Sequence, residues 1–448
     1  MIESTRCDSH ERRREHDDAR GRTPMTSTEQ GGSPITRASM VIAALSTVVE
    51  WYDFTLYLYF ATVLSRVFFG GGDHSLLATL AGFAISYAMR PLGALVFGVI
   101  GDRLGRRHTL LLSMALMTVA MLITALLPDY RHMGVVAGYL LLLLRCLMAF
   151  SVGGEYTGVV AYLLEGSEKR HRGLVTSLAS AASEIGALLA VGVSAVTVAL
   201  SSRDDLDAWA WRIPFFVGAA LAGSVWIARS AMQESPDFER QQARGSVPRT
   251  PVRDTLAHHR IAIWRTFAIS ALGSITYYVG ITYVPAFLSS TGTLGESESL
   301  TLSTLAAVAV ILITPWVGSL SDRVGRKPVL GWLAVLSAAL PLAMFSLMAH
   351  GSRWQIILAT VVLACVAGGV SAVGAPATAE QFPGEGRLSG LALGATVATA
   401  IFGGVTPFLA ELLIRLTGWS AVPGAMIAVI ALAVLPVLLT MPETRPQR

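Results

Sequence analysis

Twelve apolar stretches, each long enough to cross a bilayer as helix, constrain this chain more than anything else in it. They run near 40–66, 76–100, 109–127, 133–163, 173–200 and 211–231. They resume, after a polar interval, near 263–289, 300–320, 328–349, 354–379, 388–414 and 419–441. About 20 helical residues span the ~30 Å of a hydrocarbon core. A soluble fold has no interior that could bury twelve such runs. Charged residues make up only 14% of the chain, against about 25% in soluble domains. The reading is an all-α membrane protein with 12 transmembrane helices, arranged as two pseudo-symmetric six-helix bundles.

The net charge of +4 does not point to a nucleic-acid partner. Its arginines sit in short loops, where positive charge sets topology. Arg103, Arg106 and Arg107 fall in one loop, Lys169, Arg170 and Arg172 in a second, and Arg323, Arg326 and Lys327 in a third. The alternate loops are poor in positive charge, so both termini and the long middle loop are expected in the cytoplasm, at a bacterial inner membrane. Residues 1–38 are polar and without apolar period, and read as a disordered cytoplasmic tail with no signal peptide; Met25 offers a second start to Met1. Bundles at 39–231 and 263–441, joined by a cytoplasmic loop at 232–262 and followed by a short tail at 442–448, complete the expected organisation. Cys7, Cys146 and Cys365 are scattered, without disulfide or metal spacing. No cofactor, metal or catalytic residue is expected, and the partners are the bilayer, a small-molecule substrate and a proton, with the chain working as a monomer.

An internal repeat supports the two halves. Gly98, Asp102, Arg103, Gly105, Arg106 and Arg107 recur 220 residues later as Gly318, Asp322, Arg323, Gly325, Arg326 and Lys327. Glu165 precedes Arg172 by seven residues, and Glu380 precedes Arg387 by the same seven. Topology requires positive charge but not these glycines, aspartates and spacings. Gly98 lets helices approach, Gly105 supplies a turn, and the arginines can reach carboxylates such as Glu165 and Glu380. These residues read as a cytoplasmic gate whose charge pairs break when the halves separate. Repeats of this kind mark transporter halves.

These loops resemble the signature of the major facilitator superfamily between helices two and three. Other stretches are similar to its metabolite:proton symporter family: Glu50-Trp-Tyr-Asp-Phe in helix one, Arg90-Pro-Leu-Gly in helix two, Arg145 through Glu155-Tyr156 in helix four, Trp211-Arg-Ile-Pro-Phe, and Glu380-Gln-Phe-Pro. The resemblance covers about residues 40–445, with departures at Met148, Ala149 and Tyr156. It implies carriage of organic acids, or of zwitterions such as proline and betaine.

Ionisable groups at bilayer depth cost roughly 2.5–3.5 kcal/mol on insertion scales and mark pathways or proton relays. The first half holds Glu50, Asp53, Arg90, Arg145, Glu155 and Glu184; in the second, Glu411 and Arg415 lie one turn apart and are expected to pair. Glu50, Asp53 and Tyr57 share one helix face. No histidine lies near mid-membrane, so a carboxylate must carry the proton, in the order Asp53, Glu155, Glu50, Glu184. The competing reading of each is a static ion pair with Arg90 or Arg145. Arg90 lies outside the repeat, since the same offset lands on Val310. It is either the anchor for a substrate carboxylate or a structural partner of Asp53 or Glu155. Tyr156, Tyr277 and Tyr278 complete the candidate substrate surface.

The function expected is a proton-coupled symporter importing a small carboxylate-bearing metabolite by alternating access. Uptake of a zwitterion such as proline or betaine is the alternative, and export of a drug or metabolite a third. A membrane enzyme is excluded by the lack of any nucleophile–base pair, metal spacing or nucleotide loop.

Overall fold

The computed structural model describes residues 37–72, 74–104, 106–153, 155, 159, 160, 163, 164, 172–230, 239, 256–382 and 387–444. The side chains of Gly98, Asp102, Arg103, Arg106 and Arg387, and the whole of Gly105, Tyr156 and Glu165, lie outside the described residues, as do the expected tail and most of the loop 232–262.

The described chain is helical throughout, and its helices fall on the twelve apolar stretches. We number them α1 (Arg37–Tyr59, extended by Ala61–Phe69), α2 (Ser75–Tyr87 and Met89–Leu104), α3 (Arg106–Leu126), α4 (Val135–Ser151), α5 (Arg172–Leu200) and α6 (Arg212–Ser230). The second set is α7 (Arg260–Tyr277, then Val284–Ser290), α8 (Glu296–Val324), α9 (Arg326–Ala339 and Pro341–His350), α10 (Arg353–Ala379), α11 (from Arg387–Leu391 to Thr406–Thr417) and α12 (Val422–Thr440). Among the described residues, nine spans are long and apolar enough by themselves to cross a membrane, and α7 and α9 qualify as bent pairs, at 43° and 41°. The longest continuous described piece of α4 is the shorter apolar helix Val135–Ser151, and Glu155, Val159, Val160, Leu163 and Leu164 beyond it are helical too.

Every break except that of α1 at Phe60 stands near a proline. A proline withholds the N–H that the carbonyl four residues earlier would accept. Pro91 deprives Tyr87, and α2 is interrupted at Ala88. Pro341 opens the second piece of α9, and in α7 wide π turns over Tyr278–Thr282 precede Pro285. In α11 the wide turns at Ala392–Thr396 and Ala400–Gly404 precede Pro407.

One apolar cluster is built mainly from α1 to α6, and two others from α7 to α12. Between these sets α5 runs along α8 and also touches α10, while α2 packs on α11. Leu143, Leu312 and Trp332 are among many large apolar side chains left on the outer surface. Such a surface suits hydrocarbon rather than water.

At the basic-loop end, the second copy of the repeat forms a single network around the α8–α9 turn. Gly325 adopts φ 121°, a conformation glycine supplies without strain. Arg326, fully buried, pairs with Asp322 at 2.9 Å and Glu380 at 3.4 Å. The two oxygens of Asp322 also accept from the backbone N–H groups of Gly173 and Leu174, at 2.9 Å each. Asp322 thereby caps the start of α5, a helix from the other half of the sequence, where the helix dipole favours an anion. Glu443 caps α9 in the same way, accepting from the amides of Arg326 and Lys327 at 2.8 and 3.1 Å. Arg323 is exposed at this end.

Candidate functional site

The helices border a cavity of about 150 Å³, with α1, α2, α4 and α5 on one side and α7, α10 and α11 on the other. Small residues make room for it. Gly153, Ser180, Ser183, Ser270, Gly273, Ser274 and Gly374 line its wall, and Ser274 donates to Thr399 at 3.0 Å to tie α7 to α11. Toward the basic-loop end, the wall residues Val160 and Leu391 belong to an apolar cluster with Ala43, Leu164, Ala379 and Phe382. Toward the opposite end, an aromatic layer crosses from one half of the sequence to the other. Trp51 packs edge-on to Tyr277 at 5.0 Å, Phe54 edge-on to Tyr278 at 5.2 Å, and the Tyr87 and Tyr278 hydroxyls hydrogen-bond.

Three of the four expected carboxylates are held by arginines. Arg90 donates from Nη2 to Glu50 at 2.9 Å, and its guanidinium stacks on the rings of Tyr87 and Phe54, 4.7 and 5.1 Å from their centroids. Its Nε and the second oxygen of Glu50 are buried without hydrogen-bond partners. Both residues face the cavity. Arg145 binds both oxygens of Asp53, at 2.9 and 3.0 Å, and lies over the Tyr57 ring. The shared face of Glu50, Asp53 and Tyr57 thus splits between two arginines. Asp53 and Arg145 lie outside the described lining of the cavity, within the first-half cluster.

The partner of Glu155 corrects the sequence reading. It is neither Arg90 nor Arg145 but Arg229, at 2.5 Å, with Ser113 donating to the other carboxylate oxygen at 2.8 Å. Arg229 also donates to the Leu110 carbonyl and is 1% exposed. In the sequence it stands at the basic-loop end of an apolar run, where positive charge needs no partner. Its position within the last turn of the run, rather than beyond it, is the one signal that could have marked it. Arg90 likewise pairs with Glu50 instead of Asp53 or Glu155. Glu411 pairs with Arg415 at 2.8 Å, as its spacing required, and also accepts from Tyr283 at 2.7 Å.

Glu184 differs from the other carboxylates. It is buried in α5 and lines the cavity, and among the described residues no arginine, lysine or histidine acts on it. The Tyr277 hydroxyl lies next to it, yet neither that hydroxyl nor Glu184 Oε2 has a partner at hydrogen-bonding geometry. An ionised carboxylate in such a place is costly unless a cation or proton neutralises it. The cavity therefore offers one guanidinium with unused donors, one unpaired acid, and aromatic faces.

A cavity between two repeated sets of membrane helices, with charged residues in its wall, defines a multi-pass membrane transporter, and the chain belongs to the major facilitator superfamily. Residues 39–247 match the profile described as "Sugar (and other) transporter", and residues 291–448 that of the Major Facilitator Superfamily. The chain is 30% identical over 421 residues to the proline/betaine transporter of Salmonella typhimurium, covering 91% of this chain and 84% of that one. It is 30% identical over 379 residues to the citrate-proton symporter of Klebsiella pneumoniae, covering 84% of this chain and 85% of that one. In fold it is similar to the E. coli proton:xylose symporter XylE, with a TM-score of 0.73 at 17% identity, covering 91% and 96% of the two chains.

Proposed function

We propose that this transporter is a proton-coupled symporter that imports a small carboxylate-bearing metabolite, with Arg90 as the carboxylate anchor and Glu184 as the proton site. The observation that carries the reading is the pairing, in one cavity, of an arginine with unused donors and a buried acid without a cation. A guanidinium binds a carboxylate in two parallel hydrogen bonds. A substrate carboxylate on Arg90 competes with Glu50, and protonated Glu184 keeps the loaded cavity near neutrality. With Glu184 neutral the two halves, 39–231 and 263–441, can rock around the site with less charge to desolvate. The gate residues Asp322, Arg326 and Glu380 would close the cytoplasmic side, with both termini in the cytoplasm, the chain in a bacterial inner membrane, and a single chain sufficient for the cycle.

A second reading has its own observation. Trp51, Tyr277 and Tyr278 line the same cavity as Glu184, and aromatic rings beside an acid suit a quaternary or secondary ammonium. For a zwitterion such as proline or betaine, Arg90 would hold the carboxylate and Glu184 the cationic end. The proton would then go to Glu50 as the substrate displaces it from Arg90.

Uptake into proteoliposomes tests both. An acid-outside gradient should raise accumulation, and Arg90→Ala or Asp53→Asn should abolish it, the latter by stranding Arg145. Glu184→Gln should remove the pH dependence under the first reading and the binding of betaine under the second. Dicarboxylates compete under the first reading, and proline and betaine under the second. Uptake that ignores the pH gradient and survives Arg90→Ala would refute the scheme.

A further inference from the structure

Glu184 has two buried hydroxyl neighbours, and Glu184 Oε2 and both hydroxyl oxygens lack a partner at hydrogen-bonding geometry. Tyr277 Oη and Tyr59 Oη are, with Glu184 Oε2, among the few buried polar side-chain atoms without hydrogen bonds. Tyr59 lies close enough to Glu184 and to Tyr277 to interact with both electrostatically. All three residues are at least nine-tenths buried. Their placement is directional. Glu184 and Tyr277 line the cavity, whereas Tyr59 is the last residue of the first piece of α1, toward the end away from the basic loops. The aromatic layer of Trp51, Phe54, Tyr87 and Tyr278 lies on that same side of the cavity.

We infer that Tyr59 and Tyr277, bridged by water, form a proton-conducting column that crosses the aromatic layer and delivers protons from the far side of the membrane to Glu184 while the substrate path on that side is shut. The inference rests on Glu184 as the proton site. Unsatisfied buried hydroxyls clustered at a carboxylate are where ordered water is bound, since each lone group otherwise costs free energy. A hydronium ion outside gives its proton to a water against Tyr59. The Tyr59 oxygen accepts a proton as its hydroxyl releases its own to the next water, and Tyr277 repeats the exchange. A new O–H bond forms on Glu184 Oε2, one water remains where the hydronium stood, and both tyrosines end neutral. Among the described residues on helices packed against α5, Glu50 is engaged with Arg90, Asp53 with Arg145, and Arg229 with Glu155. Among the described residues, none on α8 or α10 bears on the Glu184 carboxyl electrostatically.

Tyr59→Phe is the decisive variant, because Tyr59 stands outside the described cavity wall and its hydroxyl has no bond to lose. In proteoliposomes of the full chain, an external acid jump is followed by time-resolved infrared absorption of the protonated-carboxyl stretch, with the band assigned by its loss in Glu184→Gln. In Tyr59→Phe the final amplitude should match wild type while the rate of appearance falls at least tenfold. Citrate, used as the transport probe, should show unchanged counterflow and a matching fall in pH-driven uptake. A Tyr59→Phe protein that protonates as fast as wild type overturns the column. So does a sodium jump that replaces the acid jump in driving uptake, because the cluster is then a sodium site. If the band persists in Glu184→Gln, the proton-site reading itself fails, a result distinct from failure of the column.

Discussion

Asp322→Ala should loosen the basic-loop end by an amount the geometry allows to be worked out. The Asp322 carboxylate accepts two hydrogen bonds from first-turn amides of α5, at 2.9 Å each, across the boundary between the two halves. Loss of a cap costs about 0.5–2 kcal/mol, and an anion in a partly buried site at a helix N-terminus adds up to about 2 kcal/mol. Arg326 retains Glu380 and Ser321, so most of the loss falls on the contact between halves. About 2 kcal/mol, at roughly 1.4 kcal/mol per tenfold, shifts the closed–open balance about 30-fold toward open. Ser177 reports it. That side chain is buried, and a Cβ added to Gly318 of α8 would lie 2.5 Å from its Oγ. In a chain with Cys7, Cys146 and Cys365 changed to serine and Ser177→Cys added, maleimide labelling from the basic-loop side measures the open fraction. Labelling should accelerate about 30-fold in Asp322→Ala, and less in Asp322→Asn, which keeps one acceptor. A rate within about twofold of the parent would refute the reasoning, because the inter-half cap would then hold nothing closed.

Further expectations follow from packing and charge. Gly153→Ala would set a Cβ 2.1 Å from the Arg90 carbonyl oxygen and 2.6 Å from the Ala94 nitrogen, both backbone atoms. It should cost about 1–3 kcal/mol and weaken uptake by moving Arg90, read by thermal unfolding and by transport. Arg229→Met strands Glu155 in the interior and should destabilise by about 3–5 kcal/mol; adding Glu155→Gln should recover most of that in the same unfolding assay. In the loop before α4, burial pushes the Asp129 carboxyl up, but hydrogen bonds from the His132 ring and amide outweigh it and hold the group below the usual aspartate range. Its stabilising contribution is therefore complete at neutral pH and is lost only as pH falls below about 4. Asp129→Asn should erase that acid-side step in the pH dependence of unfolding.

Much of the architecture was legible without coordinates because it depends on local quantities. Run length against bilayer thickness placed the twelve helices to within a few residues, and Pro91 and Pro341 stand at their breaks. The buried acids and arginines announced themselves by their cost in hydrocarbon. The repeat likewise exposed Asp322, Arg326 and Glu380 as a set, because its spacing exceeds what topology requires.

Partnership was not legible, because a charge pair depends on which helix faces lie opposite one another. Sequence could offer Arg90 and Arg145 to four acids, but helix packing assigned Glu50 to one and Asp53 to the other. It also gave Glu155 to Arg229, a residue that reads as ordinary loop-flanking charge. Asp322 finds its amides near residue 173, and Glu443 caps a helix more than a hundred residues earlier, at distances no periodicity reaches. The isolation of Glu184 is a property of its surroundings, not of the residue. Composition and period determined that this chain crosses a membrane many times with charge inside. The packing of α5 against α1, α8 and α10 decided which of those charges is left unpaired.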